Sequence, residues 1–571
     1  MNNNTHQTEA TASEPVLLNS SWRGLGGWNY YFLLKFGLLW YGYLNFHPFA
    51  NLVLLAFLLL PIANNKLHKL RHGLAIPLGI ALLYHDTWLP GINSLLSQGD
   101  QLTGLSSAYL LELVQRFINW QMLGAALVLW VAYLFLAQWL RFTVWVVLAL
   151  VLLNVQPLTG SVLMFAPQKA EPVLEQASSV SSAGDPQSSL ASGNSSLGPN
   201  SSQLAPNSPS FAPTTQNLNA ALERFYQQEQ QRQTQFPRDL TVDATPFDVL
   251  VVNICSLSWS DLEAINLTSH PLWQRFDIRL QQFNSATSYS GPAGIRLLRA
   301  SCGQSSQQDL YKPAAEQCHL FDNLSKLGFS PQLAMDHTGE FGDYLGELRQ
   351  YGKLSAPLMS QQGLPHKLVS FDGEPVLSDG PLFSRWLSER QTSESERNAT
   401  FFNLIPLHDG NRVAGRNQTA PYEDRARTLF DELNGFFNSL EESGRKVMVV
   451  VVPEHGAALV GDKVQLSGLR DIPSPAMTQV PVGIKFFGMQ APHQGGALEV
   501  QEPTSYLAIS ELIARSVNGQ LFSSTQPDWS ALVQDLPQTA VVSENENAVV
   551  MAFQGKSYIR LNKGDWVLYP N

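Results

Sequence analysis

Three apolar runs of the sequence end on side chains able to hold a metal. Cys255 follows Phe247–Ile254 in NICSLSW, Glu454 and His455 follow Lys446–Pro453 in VVVVPEHG, and His408 follows Phe401–Pro406 in IPLHDG. Between them, Thr287-Ser288-Tyr289-Ser290 leads into Gly291-Pro292 and an apolar helical stretch. That spacing predicts a helix starting at Ser290, where free backbone N–H groups and the helix dipole favour an anion. Thiolate, carboxylate and imidazole are the ligand types zinc accepts, at roughly 2.0–2.3 Å. A hydroxyl as fourth ligand is foreign to structural zinc sites but expected where the metal converts it into a nucleophile. The soft thiolate favours zinc over magnesium or calcium. Taken singly, each residue has an ordinary reading. A lone cysteine after a strand is usually a small buried hydrophobe, Glu-His a surface turn, and Ser-Gly-Pro a helix cap. Their joint placement after strands carries the metal reading.

The elements that must position them follow from the hydropathy pattern. Phe247–Ile254, Phe401–Pro406, Lys446–Pro453 and Val480–Phe487 read as strands; Leu262–Leu267, Gly294–Arg299, Ala426–Leu440 and Tyr506–Asn518 read as helices. Met448–Val452 is apolar at every position, as a central strand covered on both faces would be. The alternation predicts an α/β domain over residues 218–571 with a mostly parallel central sheet and helices on both faces. In such sheets the ligand crevice lies beyond the carboxyl ends of the strands, where these side chains fall.

The first part of the chain has a different character. Charged residues make up 15% of the 571 residues, low for a soluble protein, where about 25% is usual. The formal net charge of −11 argues against a non-specific nucleic-acid binder. Five apolar stretches, at about 27–46, 48–63, 73–90, 120–140 and 142–164, predict an α-helical transmembrane domain over 27–166. Lys66, Lys69 and Arg71 place the loop 64–72, and with it a tail of residues 1–26, on the cytoplasmic side. Alternation then puts residues 91–119 and everything after about 166 on the other side. Leu105–Trp120 has the spacing of an interfacial helix. Thirteen serines between Ser178 and Ser210, punctuated by prolines, mark residues 167–217 as a disordered tether.

With these motifs assembled, the chain resembles the membrane-anchored phosphoethanolamine transferases of the alkaline phosphatase superfamily, in particular the branch serving bacterial cellulose synthesis. NICSLSWSDL, FNSATSYSGPAG, NLIPLHDGNR, VVVVPEHGAAL and LRDIPSPAMTQVPVGIKFFG carry the resemblance, and spans, tether and soluble domain follow in the same order. The resemblance implies an alkaline-phosphatase-like fold in the periplasm, anchored by a multi-pass domain in the inner membrane. It implies Ser290 as nucleophile and zinc ligand, with Cys255, Glu454 and His455 completing the zinc shell. Tyr289 and His408 would line the pocket, and Arg470 would bind the phosphoryl group. It further implies transfer of phosphoethanolamine from phosphatidylethanolamine to glucose hydroxyls of nascent cellulose, through a covalent ester on Ser290. The spans would also contact the cellulose synthase complex. Two departures from the wider transferase pattern, Cys255 in place of a carboxylate and Ser in place of Thr, match the cellulose branch. The rival readings are a lipid A phosphoethanolamine transferase, a phosphatase- or sulfatase-like hydrolase of the same fold, and a non-catalytic scaffold of the synthase complex.

Cys302 and Cys318 lie close in sequence on the side predicted to be oxidising, so a disulfide is expected. Asp336-His337, in AMDHTGEFG, is a lesser pocket element, since a turn accounts equally well for its Asp, Thr and Gly.

Overall fold

A computed structural model describes residues 24–62, 64–87, 120–159, 212–416 and 419–570. They form two compact units, residues 24–87 with 120–159, and residues 212–570.

The first unit holds five helices among the described residues: α1 (Trp28–Trp40), α2 (Pro48–Leu59), α3 (Asn65–Asp86), α4 (Trp120–Leu136) and α5 (Phe142–Thr159). They coincide with the five apolar stretches but differ from them in extent. α1 has 13 residues and α2 has 12, about 20 Å and 18 Å of helix at ~1.5 Å per residue. Gly42, with its positive φ, follows the end of α1, and α2 runs only from Pro48 to Leu59, just before Pro61. α3 reaches back into the expected basic loop, because Asn64 caps it by accepting from Lys66 N. Among the described residues no helix is long and apolar enough to cross a membrane. The core of this unit joins Phe32, Leu54, Leu55, Leu58, Val146 and Leu150. A buried ion pair crosses it: Lys35 Nζ lies 2.5 Å from Asp86 Oδ2, and Asn51 bonds both side chains.

Of the expected tether, only residues 212–217 are described, and from Thr215 they already belong to a helix. The rest of the tether, the interfacial segment 105–119 and the tail up to residue 23 lie outside the described residues.

In the second unit a seven-stranded sheet is built from β1 (Asp248–Cys255), β2 (Ile278–Asn284), β3 (Ser330–Met335), β4 (Asn398–Leu404), β5 (Val447–His455), β6 (Gln479–Phe487) and β7 (Leu498–Thr504). Their order is β7-β2-β6-β5-β1-β4-β3. β1, β4 and β5 are buried at every position, as central strands covered on both faces are. Successive residues serve opposite faces. Val249, Val251, Met448, Val450 and Val452 enter one core with α8 (Ser290–Leu298) and α12 (Tyr506–Ser516). Leu250, Val252, Val447, Val449 and Val451 enter the other with α10 (Asp379–Thr392) and α11 (Tyr422–Ser443).

The sheet is mixed: β6 runs antiparallel to both β5 and β2, while the other pairings are parallel. The direction of β6 has no signature in its own residues. The predicted helix Leu262–Leu267 is displaced to α7 (Trp259–Ala264), because Ser258 and Asp261 form a capping box that starts it early. β2, β3 and β7 mix polar with apolar residues and escape the pattern that finds their neighbours. Also unforeseen is a four-stranded antiparallel sheet of β8 (Val542–Glu544), β9 (Ala548–Phe553), β10 (Lys556–Leu561) and β11 (Trp566–Leu568). It packs on α6 (Thr215–Glu229), whose Leu218, Leu222 and Phe225 meet Val549, Met551, Tyr558 and Trp566.

Candidate metal centre

Parallel pairing of β1 with β5 places Cys255 opposite His455 at the carboxyl edge of the sheet, with a shift of register at Cys255. The next residue, Ser256, is buried with φ 88°, a conformation that costs a non-glycine residue about 1–3 kcal/mol. Tyr422 holds that turn by donating to Ser256 O at 2.5 Å. On the other flank, the loop from Asn284 to Tyr289 turns through Ala286 at φ 63° and delivers Ser290 as the first residue of α8.

These supports bring four donor groups together. Ser290 Oγ lies 3.3 Å from Cys255 Sγ and 3.4 Å from His455 Nε2. Donor atoms of Cys255, Glu454 and His455 all lie within 4.8 Å of one another, and all three residues are buried. His455 Nδ1 donates to Gly456 O at 2.8 Å, which leaves Nε2 with a lone pair facing the cluster. Glu454 Oε1 accepts from Asn403 Nδ2 at 2.7 Å and from the Tyr344 hydroxyl at 3.1 Å. Glu454 Oε2 is buried and makes no hydrogen bond among the described residues.

This set fits a zinc ion. A tetrahedron with bonds of roughly 2.0–2.3 Å has edges of about 3.3–3.7 Å, the spacing of Ser290 from its two neighbours. The orphaned carboxylate oxygen is the kind of atom a cation satisfies. Charge balance points the same way. Burial, then Glu454, pushes the Cys255 thiol up, and burial also raises Glu454. Burial, then Arg470, pushes His455 down to about 3. Two acids whose ionisation is disfavoured, beside a neutral imidazole, form a donor set that a divalent cation would convert into ligands.

The remaining sequence-predicted residues surround this centre. Tyr289 is the N-cap of α8, and its hydroxyl donates to Asp471 Oδ1 at 3.0 Å. Arg470 is half-buried and has no ion-pair partner among the described residues; its charge acts on Cys255, His408 and His455. His408 stacks on Phe371 with ring centroids 4.5 Å apart. Its Nδ1 donates to Asp409 O at 2.8 Å, and burial, then Arg470, pushes it down to about 3. Asp336 is mainly structural, both its oxygens accepting from Ile405 N. His337 Nε2 donates to Asn403 Oδ1 at 2.8 Å and so stands one residue behind Glu454. Cys302 and Cys318 form the expected disulfide.

Sequence reasoning missed Asn253, Asn403, Tyr344 and Asp261. Asn403 Nδ2 donates to Asn253 Oδ1 as well as to Glu454, while Asp261 accepts from Ala457 N and Leu459 N and so fixes the chain after His455. One signal was available. Asn253 and Asn403 interrupt the apolar stretches 249–254 and 401–406, and they stand opposite each other in the β1–β4 register.

Comparison with known proteins places the chain in a family. The family model for the C-terminal domain of the cellulose biosynthesis protein BcsG matches residues 203–566, and the model for its N-terminal domain matches residues 28–155. The cellulose biosynthesis protein BcsG of Salmonella typhimurium strain LT2 is 57% identical over 570 residues, 99% of this chain and 100% of that protein. Its counterpart from Escherichia coli strain K12 is 56% identical over 573 residues, 99% of this chain and 100% of that protein. Among solved structures, an alkaline phosphatase superfamily protein from Vibrio parahaemolyticus aligns with TM-score 0.42 and 11% identity, over 61% of this chain and 87% of that one.

Proposed function

The chain belongs to the BcsG family of cellulose biosynthesis proteins, and we propose that it transfers phosphoethanolamine from phosphatidylethanolamine to glucose hydroxyls of cellulose, with Ser290 as nucleophile. The observation that carries the reading is the convergence of Cys255, Ser290, Glu454 and His455, with a buried Glu454 Oε2 that makes no hydrogen bond among the described residues. The resemblance of the surrounding motifs to phosphoethanolamine transferases supports the donor, and membership of a cellulose biosynthesis family supports the acceptor.

Cys255, Ser290, Glu454 and His455 would hold one Zn²⁺, and such an ion would lower the pKa of the serine hydroxyl and offset negative charge on the transferring phosphoryl group. Ser290 Oγ attacks phosphorus; the Oγ–P bond forms, the bond to the glycerol oxygen breaks, and the serine proton ends on diacylglycerol. A glucose hydroxyl then attacks the same phosphorus, the Oγ–P bond breaks, and Ser290 recovers a proton. N–H groups at the start of α8 and the Arg470 guanidinium receive the phosphoryl oxygens. His408, neutral and with its Nδ1 proton given to Asp409 O, presents Nε2 as an acceptor for the proton of the glucose hydroxyl.

A lipid donor calls for a membrane-embedded anchor. α4 and α5 carry Leu127, Val128, Phe135, Trp145 and Leu152 on their outer faces, with Val128 68% and Trp145 61% exposed. An apolar surface of that kind is stable against lipid and not against water. We place the five helices in the inner membrane and residues 218–571 in the periplasm, where a disulfide such as Cys302–Cys318 persists. The helices also offer a surface to the cellulose synthase complex.

The test is the intact mass of the full-length chain in phosphatidylethanolamine vesicles. One phosphoethanolamine should be added to the wild type, none to Ser290→Ala, and less after zinc chelation. A zinc-loaded wild type that gains no mass and liberates no diacylglycerol would overturn the reading. Diacylglycerol release with free phosphoethanolamine and no transfer to cellulose would make it a hydrolase.

A further inference from the structure

The C-terminal antiparallel sheet has no part in the donor set, yet the turn after β8 reaches the site. Asn545, 4% exposed, lies in that turn. Its Oδ1 accepts from Thr287 Oγ1 at 2.9 Å and from Ser288 N at 3.3 Å. Its Nδ2 donates to Ser288 Oγ at 2.7 Å, to Asp471 O at 2.9 Å and to Arg470 O at 3.2 Å. Ser288 Oγ in turn donates to Arg470 O. One side chain therefore ties the loop that delivers Ser290 to the loop that carries Arg470. Neighbouring residues extend the tie. Glu544 N donates to Ala286 O at 2.9 Å, at the strained turn of the nucleophile loop. Glu544 Oε2 accepts from the Tyr226 hydroxyl of α6 at 2.8 Å.

We propose that Asn545 is a positioning residue that sets the separation of Ser290 and Arg470, so that the turn after β8 belongs to the transfer site. The inference rests on the functional reading above. An amide is required because it accepts from one loop and donates to the other at once; no carboxylate or aliphatic side chain does both. Arg470 can meet a phosphoryl oxygen during attack by Ser290 only if the two loops keep their spacing, and a displacement near 1 Å costs about 10²-fold in rate.

Three variants of the full-length chain in lipid vesicles test this. Asn545→Ala cuts the tie, Asn545→Asp sets a carboxylate against two carbonyls, and Val549→Ala loosens the same sheet through its core without touching either loop. We expect Asn545→Ala to lower the rate of Ser290 modification 10- to 100-fold at saturating donor, with KM and zinc content little changed. Asn545→Asp should be slower still, and Val549→Ala should keep the wild-type rate at an equal loss of thermal stability. Amide hydrogen exchange gives a readout independent of activity: Asn545→Ala should speed exchange in both 286–291 and 469–472, and Val549→Ala in neither. A rate that tracks melting temperature across all three variants, with exchange unchanged in the two loops, would overturn the proposal. If wild type forms no adduct, the functional reading fails, and the exchange data alone decide whether Asn545 couples the loops.

Discussion

Cys255 Sγ and Ser290 Oγ stand 3.3 Å apart, although 35 residues separate them and they end different elements. One closes β1 and the other opens α8, so their spacing is set by how that helix lies across the edge of the sheet. The pair is short enough to share a metal, and Cys255 Sγ also lies 3.3 Å from Ser256 Oγ.

Cys255→Ala should therefore lower zinc affinity by at least 100-fold, while Cys255→Asp, which keeps an anionic ligand, should retain more of it. Competition with a chromogenic chelator measures both. Equal affinities in wild type and Cys255→Ala would remove Cys255 from the metal shell.

Asn403 orients Glu454 from behind through a 2.7 Å hydrogen bond. Replacing it by Leu leaves the carboxylate held by the Tyr344 hydroxyl but not by an amide, and loss of such an outer partner typically costs 10–100-fold in metal affinity or activity. The same titration, with circular dichroism to confirm the fold, checks this. Unchanged affinity would make Asn403 a strand-pairing residue only.

Asp248 carries a structural load at the opposite end of β1. Its carboxylate, 1% exposed, receives Arg390 Nε and Nη2 at 3.0 and 2.9 Å, Arg445 Nη2 at 3.0 Å and Asn398 N at 3.0 Å. Asp248→Ala leaves Arg390 buried without its counter-charge and should destabilise the domain by about 3–5 kcal/mol. Urea denaturation measures the loss, and a change below 1 kcal/mol would mean that water replaces the carboxylate.

His337 makes stability depend on pH. Burial pushes it from its ordinary 6.5 down to about 4, so the unfolded chain takes up a proton before the folded one does. Its contribution is complete above about pH 6.5 and is lost as pH falls towards 4. Protonation would also break the bond that its Nδ1 accepts from Gly339 N at 3.1 Å. His337→Asn should flatten the fall in melting temperature between pH 6.5 and 4, by on the order of 1–3 kcal/mol at the acid end. Parallel curves for variant and wild type would exclude His337 as the source.

Much of this protein was legible from local pattern. Met448–Val452 announced a central strand because every position is apolar, and a strand covered on both faces has no other composition. The donor residues were legible for a related reason, since polar side chains that directly follow buried strands fall at the carboxyl edge of an α/β sheet. Five helical segments could be counted from their hydropathy, but not measured: the ends of α1, α2 and α3 were set by Gly42, Pro48 and the Asn64 cap.

What only the tertiary structure decided depends on pairings between distant residues. The reversed direction of β6 leaves no trace in its own side chains, because alternation looks the same read either way. Asn403 became a partner of Glu454 only through the register of β4, β1 and β5, and Tyr344 only through the packing of α9 (Tyr344–Gln350) beneath the site. Asn545 lies 257 residues from Ser288, and nothing local distinguishes it from any asparagine in a turn. Residue types and their periodicity are properties of short segments, whereas convergence on one point comes from long-range contacts that exist only in the folded chain.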